Sequence, residues 1–266
     1  REGQERGDGQ GRAGSRWPHG RKLKRTGIDY HPFPFQLAYA ASRLTADGHD
    51  ARLIDCIALG MSLDELGIEA RAFQPDTVFM ETSAPSWQHD VDTMRRLACP
   101  TIAGGAHATA TPAEHLDAGF VAVIRGEYDQ VVSNALLLEA RPWLSTSQQP
   151  NAEYAPLVRD LDDIPPPPWD VMAMGKYNDP FCMGRSVTVL TSRGCPLECG
   201  FCTIAPFEGK RNYRRRDAKR VCDEIQTLIE RYGPDEIYFD DDTITINRKH
   251  ILALCEEYAA RGFGIP

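Results

Sequence analysis

Short apolar runs alternating with helix-length stretches constrain this chain more than any other feature of its sequence. The runs are Ala51–Asp55, Thr77–Glu81, Pro100–Ala103 and Val121–Ile124. Each is too short for a helix and is flanked by turn or helix signals, so each reads as a strand. Helix-like stretches separate them at Ser62–Phe73, Trp87–Ala98 and Thr111–Ala118, and another follows at Asp129–Ala140. An earlier helix is predicted from Phe33 to Gly48, where Leu37, Ala40, Ala41 and Leu44 recur at helical spacing. Such alternation predicts an α/β chain with a doubly wound, mostly parallel sheet. Ligands of these sheets bind beyond the carboxyl ends of the strands. Those ends lead here into Thr82-Ser83-Ala84-Pro85-Ser86, Gly104-Gly105-Ala106-His107 and Arg125-Gly126-Glu127. Ser83 offers a hydroxyl to a ligand, and Gly104-Gly105 offers backbone with no Cβ in the way; a plain turn is the alternative for the glycines. Residues 16–25 cannot supply the apolar strand that normally precedes the first helix, so that strand is expected to have been lost with the true N-terminus.

The 266 residues are enough for one large or two ordinary domains, and their 42% hydrophobic content supports a sizeable core. No run approaches eighteen apolar residues, which excludes an apolar membrane-spanning helix, and no signal-peptide stretch opens the chain, which points to the cytoplasm. A net charge of −8 argues against a general nucleic-acid binder. Arg1 to Arg25 differ from the rest, with eight basic residues against three acidic ones and six glycines. That composition reads as a disordered or foreign segment, or as a nucleic-acid-binding tail. Between Glu139 and Asp179 the periodicity fails, and the run Pro165–Pro168 can neither form a regular helix nor pair in a sheet. Ile164, Trp169 and Val171 give this stretch apolar edges, so it is expected to lie along a surface. The expected division is residues 1–25, a first α/β domain over 26–142, a proline-rich linker over 143–182 and a second domain over 183–266.

A β-branched run, Ser186–Thr191, reads as a buried strand and leads directly into Ser192-Arg193-Gly194-Cys195-Pro196-Leu197-Glu198-Cys199-Gly200-Phe201-Cys202. Thiolates are the usual ligands of iron–sulfur clusters. Three of them at CxxxCxxC spacing can grip three corners of a 4Fe–4S cube and leave the fourth iron open to a small molecule. A structural zinc site wants four closed ligands; Cys182 is the only nearby candidate, thirteen residues upstream across the predicted strand. A redox dithiol would use Cys199 and Cys202 and leave Cys195 unexplained. Cys56 and Cys99 read as small core residues. Downstream, Asp217–Tyr232 is an amphipathic helix stopped by Gly233-Pro234, and Glu236–Phe239 is a strand ending in Asp240, Asp241 and Asp242. Three carboxylates at a strand end are costly unless a cation or donors meet them; a solvated acidic turn is the alternative. Arg214, Arg215 and Arg216, with Lys210 and Arg211, read as a basic loop.

The segment from Gly194-Cys195-Pro196 to Phe201-Cys202, directly after a strand, resembles the radical S-adenosylmethionine (SAM) enzymes, and the order of the whole chain resembles the branch that carries an N-terminal cobalamin-binding domain. The resemblance covers about Trp17 to Ile265. It implies a Rossmann-like doubly wound sheet followed by the start of a partial (β/α) barrel. It further implies that Cys195, Cys199 and Cys202 hold a 4Fe–4S cluster, that Phe201 and Asp240 to Asp242 seat S-adenosyl-L-methionine, and that Ser83, Gly104 and Gly105 border cobalamin. The implied activity is reductive cleavage of SAM to a 5′-deoxyadenosyl radical, used to methylate or rearrange an unactivated carbon. A radical cyclase that uses its first domain differently, or an inactive fragment, are the alternatives. Implied partners are a small-molecule or lipid-like substrate and a reductase, flavodoxin or ferredoxin as electron donor. Asp29-Tyr30-His31 resembles part of the Asp-x-His-x-x-Gly motif of cobalamin domains, although Pro34 stands at the glycine position. His31 is therefore either a cobalt ligand or a loop histidine beside the cofactor.

Overall fold

The computed structural model describes residues 32–137, 141–150, 152–177, 182–197, 199–202, 204 and 212–266. Its first half opens with helices α1 (Phe35–Ala46), α2 (Cys56–Leu59) and α3 (Leu63–Phe73). Helix α3 begins where the sequence provides a capping box: Ser62 accepts from the Glu65 amide, and the Glu65 carboxylate accepts from the Ser62 amide at 2.8 Å. Then follow β1 (Val78–Glu81), α4 (Trp87–Leu97), β2 (Thr101–Gly104), α5 (Gly105–Ala110), α6 (Pro112–Ala118), β3 (Ala122–Ile124), α7 (Val132–Leu136) and β4 (Leu144–Ser145). The sheet order is β1-β2-β3-β4, parallel except for the antiparallel edge strand β4.

The pleat sends alternate side chains to opposite faces, and both faces are covered. Ile102, Ala122 and Ile124 pack with Ala40 of α1 and with Val132 and Ala135 of α7. Ala103 and Val123 point the other way, onto Val91 and Met94 of α4, Ala108 of α5 and Phe120. This is the doubly wound arrangement the alternation predicts. Ala51–Asp55 differs from expectation: it is irregular and runs into α2, whose first turn Asp55 caps by accepting from the Ala58 amide at 3.1 Å. A cavity of about 560 Å³ borders both this segment and β1, so its backbone has no adjacent ladder to join.

The second half contains β5 (Ser186–Val189), β6 (Ser192–Arg193), β7 (Arg214–Arg215), α8 (Ala218–Tyr232), β8 (Glu236–Phe239) and α9 (Arg248–Arg261). Strands β5 and β8 are parallel, with Ser186 opposite Glu236 and Val189 opposite Phe239. The connection between them contains α8, whose Val221, Cys222, Ile225 and Leu228 are wholly buried. Asp217 caps α8 by accepting from the amides of Lys219 and Arg220, and Gly233 ends it in the left-handed region. Beyond α9 the Ile237 amide donates to the Pro266 carbonyl at 2.9 Å.

The linker does not lie along a surface throughout. Trp169 is buried with its ring 4.9 Å from that of Phe33, Tyr177 donates to Asp55 at 2.9 Å, and only Val171 of the apolar edges is well exposed. Leu144 and Ser145, within the same stretch, complete the first sheet. Among the described residues no helix is long and apolar enough to cross a membrane.

Packing at the sheet edge gives a direct test. A Cβ on Gly104 would sit 2.5 Å from Phe79 Cζ and 3.0 Å from Tyr128 Cδ1, whereas one on Gly175 would meet nothing within 4 Å. Gly104→Ala is expected to lose about 1–3 kcal/mol, and Gly175→Ala less than about 0.5 kcal/mol. Equal urea midpoints for the two variants would contradict this packing.

Candidate functional site

The carboxyl ends of both sheets open onto one cavity of about 330 Å³. From the first half it is walled by Phe33 to Gln36 at the start of α1, by Glu81, Thr82 and Ser83 after β1, and by Ala106 in the first turn of α5. From the second half come Leu190, Ser192 and Arg193 after β5, and Asp240 and Asp242 after β8. Ser83, Asp240 and Asp242, separated by some 160 positions, therefore meet as the strand-end argument predicts. Glu81, Thr82, Gln36 and Arg193 join them; they carry no motif of their own in the sequence.

The three aspartates do different work. Asp240 continues the ladder, its amide donating to Val189 at 3.1 Å. Asp241 turns back to the end of β5, accepting from the Thr191 amide at 3.1 and 3.2 Å, the Thr191 hydroxyl at 2.9 Å and the Ser192 hydroxyl. The buried His250 of α9 shares the Thr191 hydroxyl at 3.0 Å. Asp242 faces the cavity; burial raises its pKa, opposed by the Gly194 amide and reinforced by the charge of Asp241. The bundle of strand-end bonds explains why Asp241 is absent from the cavity wall.

The cysteine loop leaves β6 at Gly194, whose φ of +80° favours glycine, and returns at β7. Cys195 and Cys202 are half-buried, Cys199 is exposed, and none is in a disulfide. The Cys202 amide donates to the Cys199 carbonyl at 3.0 Å, a tight turn within the loop. Among the described residues no three His, Cys, Asp or Glu side chains converge on a metal position. Phe201 is 91% exposed and stands off the cavity. Of the basic run, Arg214 is buried and Arg216 pairs with Glu224, while Arg215 points to solvent. Lys210, Arg211 and His31 lie outside the described residues.

No family model matches the chain. It is 32% identical over 251 residues to an uncharacterized methyltransferase of Pyrococcus horikoshii, covering 87% of this chain and 53% of that protein. It is 30% identical to an anaerobic magnesium-protoporphyrin IX monomethyl ester cyclase of Cereibacter sphaeroides, covering 86% of this chain and 40% of that protein. Its fold matches the radical SAM methyltransferase TsrM of Kitasatospora setae, solved with a tryptophan substrate and a SAM analogue, at a TM-score of 0.64 and 16% identity over 88% of this chain and 49% of that one. It also matches the cobalamin-dependent SAM radical enzyme OxsB, solved with aqua-cobalamin, at 0.72 and 16% identity over 87% of this chain and 35% of that one. The chain is thus related in sequence to a methyltransferase and to magnesium-protoporphyrin cyclases, and it shares its fold with TsrM and OxsB. It spans about half the length of the curated relatives it matches.

The donor set can be compared with what the resemblance to radical SAM enzymes implies. Three unbridged thiols on one loop suit the thiolate set of a radical SAM cluster. Among the described residues the cavity wall carries three carboxylates, Glu81, Asp240 and Asp242, against one guanidinium, Arg193, which suits a cationic sulfonium. Toward the first sheet the wall is formed by Ser83, whose hydroxyl is shared with that of Ser86 at 2.6 Å, and by the methyl of Ala106. The glycines beside it are explained by the protein's own packing: Phe79 fills the space beside Gly104, and Gly105 has a φ of +95° with Glu81 against it.

Behind this wall lie buried polar side chains that local sequence patterns do not single out. His115 is fully buried; its Nδ1 donates to the Thr111 carbonyl at 2.8 Å and its Nε2 accepts from the Thr82 hydroxyl at 2.8 Å. Burial holds its pKa down to about 4, so the ring is neutral at pH 7. Asp90, also fully buried, accepts from the Ser83 amide at 3.1 Å and the Ser86 hydroxyl at 2.8 Å, and thereby shapes the loop that presents Ser83. Burial is the main force pushing the Asp90 carboxyl up to about 7; those two donors oppose it and the charge of Glu81 adds to it.

Because the folded pKa of Asp90 lies above its unfolded value, its contribution is fully present below about pH 4 and is lost as pH rises to about 7. Asp90→Asn keeps both accepted bonds and removes the titration. The variant is expected to gain on the wild type between pH 4 and 7, by up to a few kcal/mol at ~1.4 kcal/mol per unit. Urea midpoints compared across that range measure it, and a constant difference would contradict the assignment.

Proposed function

We propose that the chain serves a cobalamin-dependent radical SAM reaction that methylates or rearranges an unactivated carbon of a small-molecule or lipid-like substrate. The observation that carries this reading is the single cavity onto which both sheets open, with strand-end carboxylates on one wall and the Ser83 loop on the other. In this reading Cys195, Cys199 and Cys202 hold a 4Fe–4S cluster, and Asp240 and Asp242 meet the cationic end of SAM. Ser83, with Gly104 and Gly105 behind it, borders the corrin, and Phe201 and His31 are further contacts of the loaded enzyme. Bound together, these groups supply one-electron cleavage of SAM and a carbon radical, chemistry that side-chain acids and bases cannot perform. The protein's share is to hold the reactants close and keep water out.

Uncrosslinked cysteines suit a reducing compartment such as the cytoplasm, where a flavodoxin, ferredoxin or dedicated reductase supplies the electron. Ring closure is the second reading, favoured by the relationship to the magnesium-protoporphyrin cyclases; it uses the same cysteines and the same cavity. Asp241 is assigned to holding the β5 and β8 ends together rather than to SAM directly. The expected organisation is a cobalamin domain over 26–142 joined through 143–182 to the radical SAM domain over 183–266.

Anaerobic reconstitution tests the reading. The protein is expected to take up about four irons per chain and to keep cobalamin through a desalting column. Replacing Cys195, Cys199 or Cys202 by Ala is expected to abolish iron uptake, whereas Cys99→Ala and Cys255→Ala leave it intact. Preferential uptake of one zinc under the same conditions would overturn the cluster assignment, and loss of cobalamin on desalting would favour the second reading.

A further inference from the structure

The loop that bears the three cysteines is closed at its neck by the two-residue ladder of β6 and β7, in which Arg193 faces Arg214. Both arginines are buried, and both reach across to the loop that follows β3 in the first half. Arg214 Nη1 donates to Glu127 Oε2 at 2.8 Å and to the Val158 carbonyl at 2.6 Å, and its Nη2 donates to Glu127 Oε1. Arg193 Nη2 donates to Asp129 Oδ2 at 2.7 Å, its Nη1 lies 4.0 Å from Glu127, and its guanidinium stands 5.0 Å from the ring centre of Tyr39 in α1. Glu127 also accepts from the Val158 amide at 3.1 Å, which fixes the linker to the same point. Two buried positive and two buried negative groups thus face each other, each pair drawn from opposite halves of the chain.

Apolar side chains would join the halves equally well but would tolerate sliding. A guanidinium–carboxylate fork accepts one register, because displacement leaves a buried charge unpaired. The pairing lies at the neck of the cysteine loop, and Arg193 also walls the cavity. We propose that Glu127 and Asp129, acting through Arg214 and Arg193, are positioning residues that fix the cysteine loop relative to the first sheet and so set the separation between the cluster site and the corrin site. The clasp itself stands on the contacts above; its effect on cofactor separation rests on the proposed function.

Two measurements on Glu127→Gln test it. Without cofactors, amide hydrogen exchange is expected to rise about tenfold or more in 125–129, 190–193 and 214–216 together, with the buried turns of α8 unchanged. Glu127→Asp, which keeps the charge, is expected to restore part of the protection. If Glu127→Gln fails to fold, Arg214→Lys, which keeps charge but loses the fork, is read in the same way. In protein loaded with reduced cluster and cob(II)alamin, the spin–spin distance is expected to be narrow in the wild type and broad in the variant at equal iron and cobalamin content. Exchange that is unchanged, or that rises on one side only, would overturn the clasp. An equally narrow distance in the variant would overturn its positioning role. Linked exchange in a protein that binds neither cofactor would support the clasp as a joint and overturn the proposed function.

Discussion

Glu127 has no exposed side-chain surface, and the architecture around the cavity depends on how its charge is met. A carboxylate taken out of water is costly unless it is paired and its remaining lone pairs are used. Here the Arg214 fork and the Val158 amide supply both. Burial alone would lower the pKa of neighbouring Arg193, but Asp129 and Glu127 more than compensate, so it stays charged. Removing one member of such a group leaves its partner as a buried unpaired ion, a loss of about 3–5 kcal/mol in comparable pairs. The loop after β3, the linker at Val158 and the neck of the cysteine loop are therefore placed together or not at all.

The largest apolar cluster acts in the same direction. It takes Phe33, Phe35 and Tyr39 from the start of α1, Trp169, Met172 and Tyr177 from the linker, and Val187, Val189, Ile225 and Ile237 from the second half. No half owns this core. The linker's proline run is thus a route between buried anchors: Ser42 donates to the Pro166 carbonyl at 2.6 Å just before the chain turns in at Trp169. The apolar cluster supplies adhesion and the ion group supplies register.

This division also explains what the sequence could disclose. Helices with strong local signals are found where patterning puts them: α3 behind Ser62 and Glu65, and α8 between Asp217 and Gly233. Strands β1 to β3 follow from their apolar runs. The edge strand β4 is two residues in a polar stretch, below the length at which alternation is visible. Helix α9 buries only His250 and Leu254, so its apolar face is faint. Ala51–Asp55 has a strand's composition but no ladder beside it, and composition cannot supply hydrogen-bond partners. At the site, the cysteine spacing and the acidic strand end are local and legible. Asp90 and His115 are not, because a polar residue in a helix reads as surface until the fold buries it. Arg193 and Glu127 are 66 positions apart, and nothing in either neighbourhood announces the other.

The electrostatics of the cavity follow from these placements. Asp241 is withdrawn by Thr191 and Ser192, which leaves Asp240 and Asp242 at the wall with Glu81 opposite. Among the described residues Arg193 is the single guanidinium of that wall, and its charge is already directed to Asp129. The described charged groups of the wall are therefore mostly acidic, and burial makes ionic contacts there stronger than in water. Such a wall favours a cationic guest over an anionic one. The cysteine loop beside it is fixed at its neck and exposed at Cys199. A loop anchored in that way is aimed by the protein at its base, while among the described residues its tip is held by few contacts of its own and stays open to whatever the three thiols would bind.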